Sequence, residues 1–486
     1  MPRLDSPTRW RLVGLAGSSL LAAGAIGSGV LPRPDPLRDE VILSTLRQGT
    51  PRVLCIAAAA VGMAVLVAAW LLLGRRLDQA STRGLLVTAA LWSVPLLLAP
   101  PILSRDVYGY AVVGQMLRAG LDPYQVGAGE LDSSWVPSTS ASWLTVPFAY
   151  GPLFLLLAHL VVSGSGGSLV VAVFGMRLLA VIGTALLAWA LPRLARACGV
   201  GERQALWLGL LNPLMLAHFI GGAHADALMV GLMVAGLALA ASRRPAAGAV
   251  LCALAIGVKA TAVVSLPFLA LLWAAHLGSR SRPVVRAVVA TSAAAGASFA
   301  ALTAVSGVGY GWVTTVDTVG LSRQWTSLPT GLGLVASRAA DLLGLTIETD
   351  SVLGVTRALA LATTAAILVW LWLRAARRVR KPGGGTRMVV EHCGWALLVL
   401  VALGPAVHPW YVTWPIAVLA AAGVAGRPRV AIVAVSAALC FLVLPDGFNL
   451  ARVTEPAGLA LDVLVAAGLV ALGVRRMRQR RERVAV

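Results

Sequence analysis

The feature that most limits what this chain can become is a series of apolar stretches, each close to the length that crosses a bilayer. Residues 12–31, 53–73, 85–103, 284–305, 352–373 and 458–474 are the clearest, and about 20 apolar residues span the hydrocarbon core as a helix. No water reaches that core, so each stretch must satisfy its own backbone groups, and a helix is the conformation that does so. The expected fold is therefore an all-α integral membrane bundle, a single polytopic domain over residues 1–486 with almost no soluble part.

Charge is sparse and of one kind. Charged residues make up 12% of the chain and the net charge is +20, which in a soluble protein would point to nucleic acid. Here the lysines are Lys259 and Lys381 alone, so arginine supplies nearly all the positive charge. Most of it falls in short connections between apolar segments, the pattern of the positive-inside rule. A cytoplasmic face resting on anionic lipid explains this, and no nucleic-acid partner is expected. Cys55, Cys198, Cys252, Cys393 and Cys440 are scattered and form no CxxC or Cys/His cluster, so neither a disulfide framework nor a zinc site is indicated. Arg3, Arg9 and Arg11 precede the first apolar run, which reads as a retained signal anchor.

Sidedness follows from the arginines. With the N-terminus cytoplasmic, the inner connections hold Arg75, Arg76 and Arg83; Arg193, Arg196 and Arg203; Arg243 and Arg244; and Arg280, Arg282 and Arg286. Further inner groups run from Arg374 to Arg387, through Arg427 and Arg429, and from Arg475 to Arg483. Four arginines in the outer connection 32–52 depart from the rule. This assignment leaves 153–162 too short to cross, hence re-entrant or interfacial. It predicts about fourteen crossings with both termini cytoplasmic. Two long outer loops remain, 104–149 and 306–351, both rich in Trp, Tyr, Gly and Pro. Long structured loops on one face of a bundle are usually functional, whereas the Gly383-Gly384-Gly385 segment reads as a plain linker.

Four polar constellations stand out. Ser104-Arg105-Asp106-Val107-Tyr108-Gly109-Tyr110 follows an apolar segment directly, with Gln115, Asp122-Pro123-Tyr124 and Phe148-Ala149-Tyr150-Gly151-Pro152 after it. A carboxylate there can accept the proton of a sugar hydroxyl, while aromatic faces cover the sugar ring; the plainer reading is an interfacial aromatic belt. In Leu211-Asn212-Pro213 … Gly221-Gly222-Ala223-His224-Ala225-Asp226, His224 and Asp226 are two apart and would not share a helix face. A turn or a helix start would let both enter one cleft. Lys259, embedded in apolar sequence, either snorkels or holds a lipid-linked phosphate. His408-Pro409-Trp410-Tyr411 sits in a tight connection and offers a further contact to phosphate or hydroxyl; Arg323 and Trp325 are weaker candidates. Two glycine clusters, 164–168 and 307–311, match no phosphate-binding fingerprint and read as turns.

Taken in order, Asp106-Val107-Tyr108-Gly109-Tyr110 with Gln115, Gly120-Leu121-Asp122-Pro123-Tyr124, Tyr150-Gly151-Pro152, Leu211-Asn212-Pro213, the 221–226 phrase and Val258-Lys259-Ala260-Thr261 resemble the actinobacterial polyprenol-phosphomannose-dependent alpha-1,6-mannosyltransferases, membrane enzymes of the GT-C class. The resemblance implies a GT-C-type bundle with interfacial helices in its long outer loops. It implies transfer of mannose from polyprenyl-phosphate mannose to a mannan or lipomannan acceptor on the outer face of the plasma membrane, with inversion. It makes Asp106 the expected base; the phosphate's charge needs positive neighbours, and Lys259 and Arg105, with His408 after them, are the expected ones. Tyr108, Tyr110, Gln115, Asp122, Tyr124, Tyr150, His224, Asp226, Trp410 and Tyr411 become expected sugar and acceptor contacts. Ala225 departs from the family pattern, which carries asparagine there, so any role for that amide is in question. Asp106 and Asp226 could share a divalent cation, but lysine and arginine beside the phosphate make one unnecessary, and none is expected to be required. The alternatives are a lipid-linked sugar flippase, or the same fold acting on another sugar such as arabinose; the residues themselves do not name mannose.

Overall fold

A computed structural model describes residues 7–278, 281–315, 320–379 and 385–484. Arg3, Arg280, Lys381, Gly383, Gly384 and residues 316–319 of the second long loop lie outside the described residues. So do the side chains of all five arginines after Arg475.

Among the described residues the secondary-structure elements are all helices, as the apolar stretches require. Six helices are long and apolar enough to cross a membrane: Pro7–Ser28, Gly49–Gly74, Leu169–Ala197, Ala260–Leu277, Pro283–Ser306 and Thr349–Val379. A seventh span arises if Glu202–Gly209 and Pro213–Gly221, bent by 47° at their junction, count as one. Shorter apolar helices cover Thr82–Leu98, Pro152–Ser163, Asp226–Ala241 and Pro245–Val258. The protein is thus a membrane-embedded, multi-pass helical protein. The 153–162 stretch forms a helix of 12 residues, Pro152–Ser163.

The chain divides into two compact units. The first comprises Met1–Thr318, Val369–Leu398 and Pro409–Phe448. Its helices approach closely where side chains are small. A Cβ on Gly17 would lie 2.7 Å from the Leu66 backbone nitrogen, and one on Gly62 would lie 2.3 Å from that of Leu21. Backbone-to-backbone contact of this kind holds membrane helices together where no hydrophobic drive exists between them. Elsewhere the same problem is solved with large residues. Trp70 and Trp207 stack at 5.1 Å, and each indole N–H donates to the other's carbonyl oxygen at 2.8 Å.

The second unit comprises Val319–Leu368, Val399–His408 and Asn449–Val486. Its organising residue is Arg357, which donates to the Gly320 and Ser322 carbonyls and to the Thr330 hydroxyl. Ser327 and Thr330 then donate to the carbonyls of Gly404 and Pro405, each at 2.7 Å. Trp325, a weaker candidate in sequence, donates its indole N–H to the Ala451 carbonyl, and Arg323 makes an exposed bidentate pair with Asp350.

Candidate active site

Two helices of the first unit begin on an aspartate, Asp106–Arg118 and Asp226–Ala241. The positive end of the helix dipole favours a carboxylate there. Each is reached through a non-glycine residue of positive φ, Leu103 at 72° and Ala223 at 54°. Left-handed backbone costs an L-residue about 1–2 kcal/mol and persists only where the surroundings hold it. The holding contacts are visible. Leu103 N–H donates to the Pro445 carbonyl at 3.1 Å, and Ile102 N–H to that of Gly221 at 3.2 Å. Buried Arg177 adds hydrogen bonds to the carbonyls of Leu97 at 2.7 Å and Gly221 at 3.4 Å.

Between the bend at Asn212 and this turn, Leu216–Gly221 forms a π-helical turn, closed by Gly222 N–H donating to the Ala217 carbonyl at 2.8 Å. Such widened turns concentrate at functional sites. Here the turn places His218 beside the cluster, its ring 5.4 Å from those of both His224 and Trp410.

The cluster itself has two charged poles. At one, His224 Nδ1 lies 3.4 Å from Asp106 Oδ2, and the imidazole stacks on Trp410 at 4.1 Å and 24°. At the other, Asp226 Oδ1 accepts from Lys259 Nζ at 2.9 Å and from Trp414 Nε1 at 2.7 Å. The ammonium also lies over the rings of Tyr411, at 4.2 Å, and Trp414, at 4.9 Å. Tyr110 joins the poles: its hydroxyl accepts from Ala225 N–H at 3.4 Å and from the Tyr150 hydroxyl at 3.3 Å. Burial, then the charges of Asp106 and Asp226, push the Tyr110 hydroxyl well above its usual range, so it stays a neutral phenol.

Exposure differs across the cluster. His224 and Asp226 are 0% exposed, whereas the side chains of Asp106 and Lys259 retain 16% and 11%. One carboxylate and one ammonium are thus presented, and the other groups orient them. His224 Nε2 and Asp226 Oδ2 have no hydrogen-bond partner among the described residues. Buried polar atoms left so are rare and call for an explanation; a ligand hydroxyl near either would supply one.

The remaining candidates lie elsewhere. Arg105 donates through Nη1 to the carbonyls of Leu31 and Ser138, fastening the first long loop to the end of the first helix. The Tyr108 hydroxyl donates to the Val30 carbonyl at 2.7 Å. Gln115 accepts from Ser133, Asp122 accepts from Tyr124 N–H and Gln125, and the Tyr124 hydroxyl donates to the Tyr150 carbonyl. These shape the loop that carries Tyr150. His408 belongs to the second unit. Sequence reasoning missed His218 and Trp414. Trp414 stands three residues after Tyr411 and four after Trp410, a spacing that puts residues of a helical turn on one side. His218, one of six histidines, had no flanking polar residue to draw notice.

If Arg105 is a strut between backbone carbonyls, Arg105→Met should lower the melting temperature while changing the donor KM by less than about threefold, the scale of a surface contact. Steady-state kinetics beside a thermal melt in detergent would check this.

A multi-pass membrane protein whose charged side chains converge where two helices begin has the construction of a membrane-embedded enzyme. Comparison with known proteins agrees. The profile of the alpha-(1->6)-mannopyranosyltransferase N-terminal domain matches residues 11–275, and that of the MptB C-terminal domain matches residues 329–473. The sequence is 38% identical over 447 residues to alpha-(1->6)-mannopyranosyltransferase A of Mycobacterium tuberculosis, covering 90% of this chain and 84% of that protein. It is 30% identical over 498 residues to alpha-(1->6)-mannopyranosyltransferase B of Corynebacterium glutamicum, covering 94% and 79%. The chain belongs to the alpha-(1->6)-mannopyranosyltransferase family.

Proposed function

We propose that this protein transfers mannose from polyprenyl-phosphate mannose to the 6-hydroxyl of an alpha-1,6-mannan chain, on the outer face of the cytoplasmic membrane. The observation that carries the mechanism is the presentation of one carboxylate, Asp106, and one ammonium, Lys259, from an otherwise buried aromatic cluster. Asp106 takes the proton of the acceptor hydroxyl as its oxygen attacks the anomeric carbon. The bond from that carbon to the phosphate oxygen breaks, and the electron pair leaves with the phosphate. Lys259, an ammonium with three N–H donors, meets the charge on the departing phosphate. A β-linked donor gives an α-linked product in this single displacement, with no general acid needed. His224 and Asp226 orient sugar hydroxyls through the buried nitrogen and oxygen that lack partners.

The arginine distribution supports the finer topology: about fourteen crossings, both termini cytoplasmic, and the 104–149 and 306–351 loops outside. Arg105 and the Tyr108, Gln115, Asp122 and Tyr124 side chains act here as supports for the first of those loops.

The donor is tested with purified protein in nanodiscs and a short alpha-1,6 mannoside. Radiolabelled polyprenyl-phosphate mannose should yield a longer mannoside and free polyprenyl phosphate in equal amounts. A nucleotide sugar supplied without the lipid should yield none, and product from it would overturn the donor assignment. The Lys259 ammonium already places positive charge beside Asp226, 2.9 Å from Oδ1, where a cation would otherwise be needed. EDTA is therefore expected to leave the rate unchanged, and restoration of a lost rate by magnesium or manganese would contradict this.

A further inference from the structure

The first long loop holds an aromatic residue that neither the polar cluster nor the family motifs employ. Trp143 ends a short 3₁₀ turn, Ala141–Trp143. Its indole stacks face to face on buried Phe148, with centroids 4.7 Å apart and planes 3° from parallel, and it tilts toward Tyr150 at 6.3 Å. Tyr150 in turn is hydrogen-bonded to Tyr110. Trp143 is half-buried, and its indole N–H makes no hydrogen bond among the described residues.

Its position along the Asp106–Arg118 helix is informative. A Cβ placed on Gly109 would lie 3.6 Å from Trp143 Cδ1 and 3.8 Å from Nε1. The N–H edge of the indole therefore passes over the helix at Gly109, three residues after Asp106. Gly109 stands on the same helix as Asp106, one turn further along. Lys259 and its rings, Tyr411 and Trp414, form the other pole, and among the described residues the ring contacts of Trp143 are to Phe148 and Tyr150.

We propose that Trp143, held flat by Phe148 next to Gly109, is an acceptor-binding residue: a stacking platform for the mannosyl ring that presents its 6-hydroxyl to Asp106. The axial C–H face of a pyranose is apolar and weakly positive, the complement of an indole's negative face, and the unused N–H is free to donate to a ring hydroxyl. The assignment rests on the proposed transferase reading and adds the acceptor platform which that reading lacks.

The test compares wild type, Trp143→Ala and Trp143→Phe with a soluble alpha-1,6 mannoside, varying donor and acceptor separately. Trp143→Ala should raise the acceptor KM about tenfold, the scale of one lost aromatic contact. Donor KM and kcat at saturating acceptor should stay near wild type, and Trp143→Phe should recover most of the loss. An unchanged acceptor KM overturns the proposal. So does a parallel fall in kcat, donor affinity and melting temperature in both variants, which would make Trp143 a packing residue for Phe148. A defect seen in nanodiscs but absent in detergent would make it an interfacial anchor instead, and also overturns it. Direct mannoside binding, by saturation-transfer NMR on Asp106→Asn with and without Trp143→Ala, needs no turnover. Loss of that binding supports the platform even if the transfer reaction itself has been misassigned, and its persistence sinks it.

Discussion

Asp106→Asn is expected to lower kcat by about 10²–10⁴-fold, the usual contribution of a positioned base, without unfolding the protein. Asparagine keeps the shape of aspartate and can stand at the same helix start, so the Ser104 contact to the residue-106 backbone N–H survives. What it loses is the ability to receive a proton. His224 Nδ1, 3.4 Å from the carboxylate, does not take over the task, because its ring is stacked on Trp410 and fully buried. Initial rates at saturating donor and acceptor, beside a thermal melt of each protein, measure the effect. A folded Asp106→Asn enzyme within a few-fold of wild type would remove Asp106 from the mechanism.

The second large effect is on stability as well as rate. Lys259→Met takes the cation from a carboxylate that is 0% exposed. Breaking a buried ion pair from one side costs about 3–5 kcal/mol, because the remaining charge has neither water nor partner. Trp414 would still donate to Asp226 Oδ1, which places the expected loss toward the lower end of that range. Adding Asp226→Asn to Lys259→Met removes the stranded charge and should restore most of the melting temperature. It should not restore transfer, since the phosphate still lacks its ammonium. A Lys259→Met protein that melts with wild type would remove the stabilising role, and a double variant that regains activity would remove the phosphate contact.

The fold class was legible because it depends on something one-dimensional, the length of apolar runs set against the thickness of a bilayer. The site was legible only in part, and the helix Asp106–Arg118 shows why. Asp106 and Tyr110 are four residues apart and share a face, and both reach the cluster. Tyr108 lies two residues from each, which turns its hydroxyl toward Val30 instead. In the sequence all three belong to a single polar phrase, and no local signal separates them. Lys259 and Asp226 were both picked out, but 33 residues separate them in the chain, and only the packing of their helices makes them a pair. His218 was hidden by the π-helical turn, since ordinary helical spacing does not foretell where a widened turn aims a side chain.

The two left-handed residues, Leu103 and Ala223, each stand three positions before an aspartate, and the Ile102–Gly221 hydrogen bond ties one bend to the other. The separation of the two carboxylates is therefore set by main-chain geometry shared between distant segments. Arg177, which touches neither aspartate, grips the Leu97 and Gly221 carbonyls on either side of that tie. It acts as the gauge block of the site: a shorter residue there would leave every reacting group in place by name while changing the spacing across which a sugar must fit.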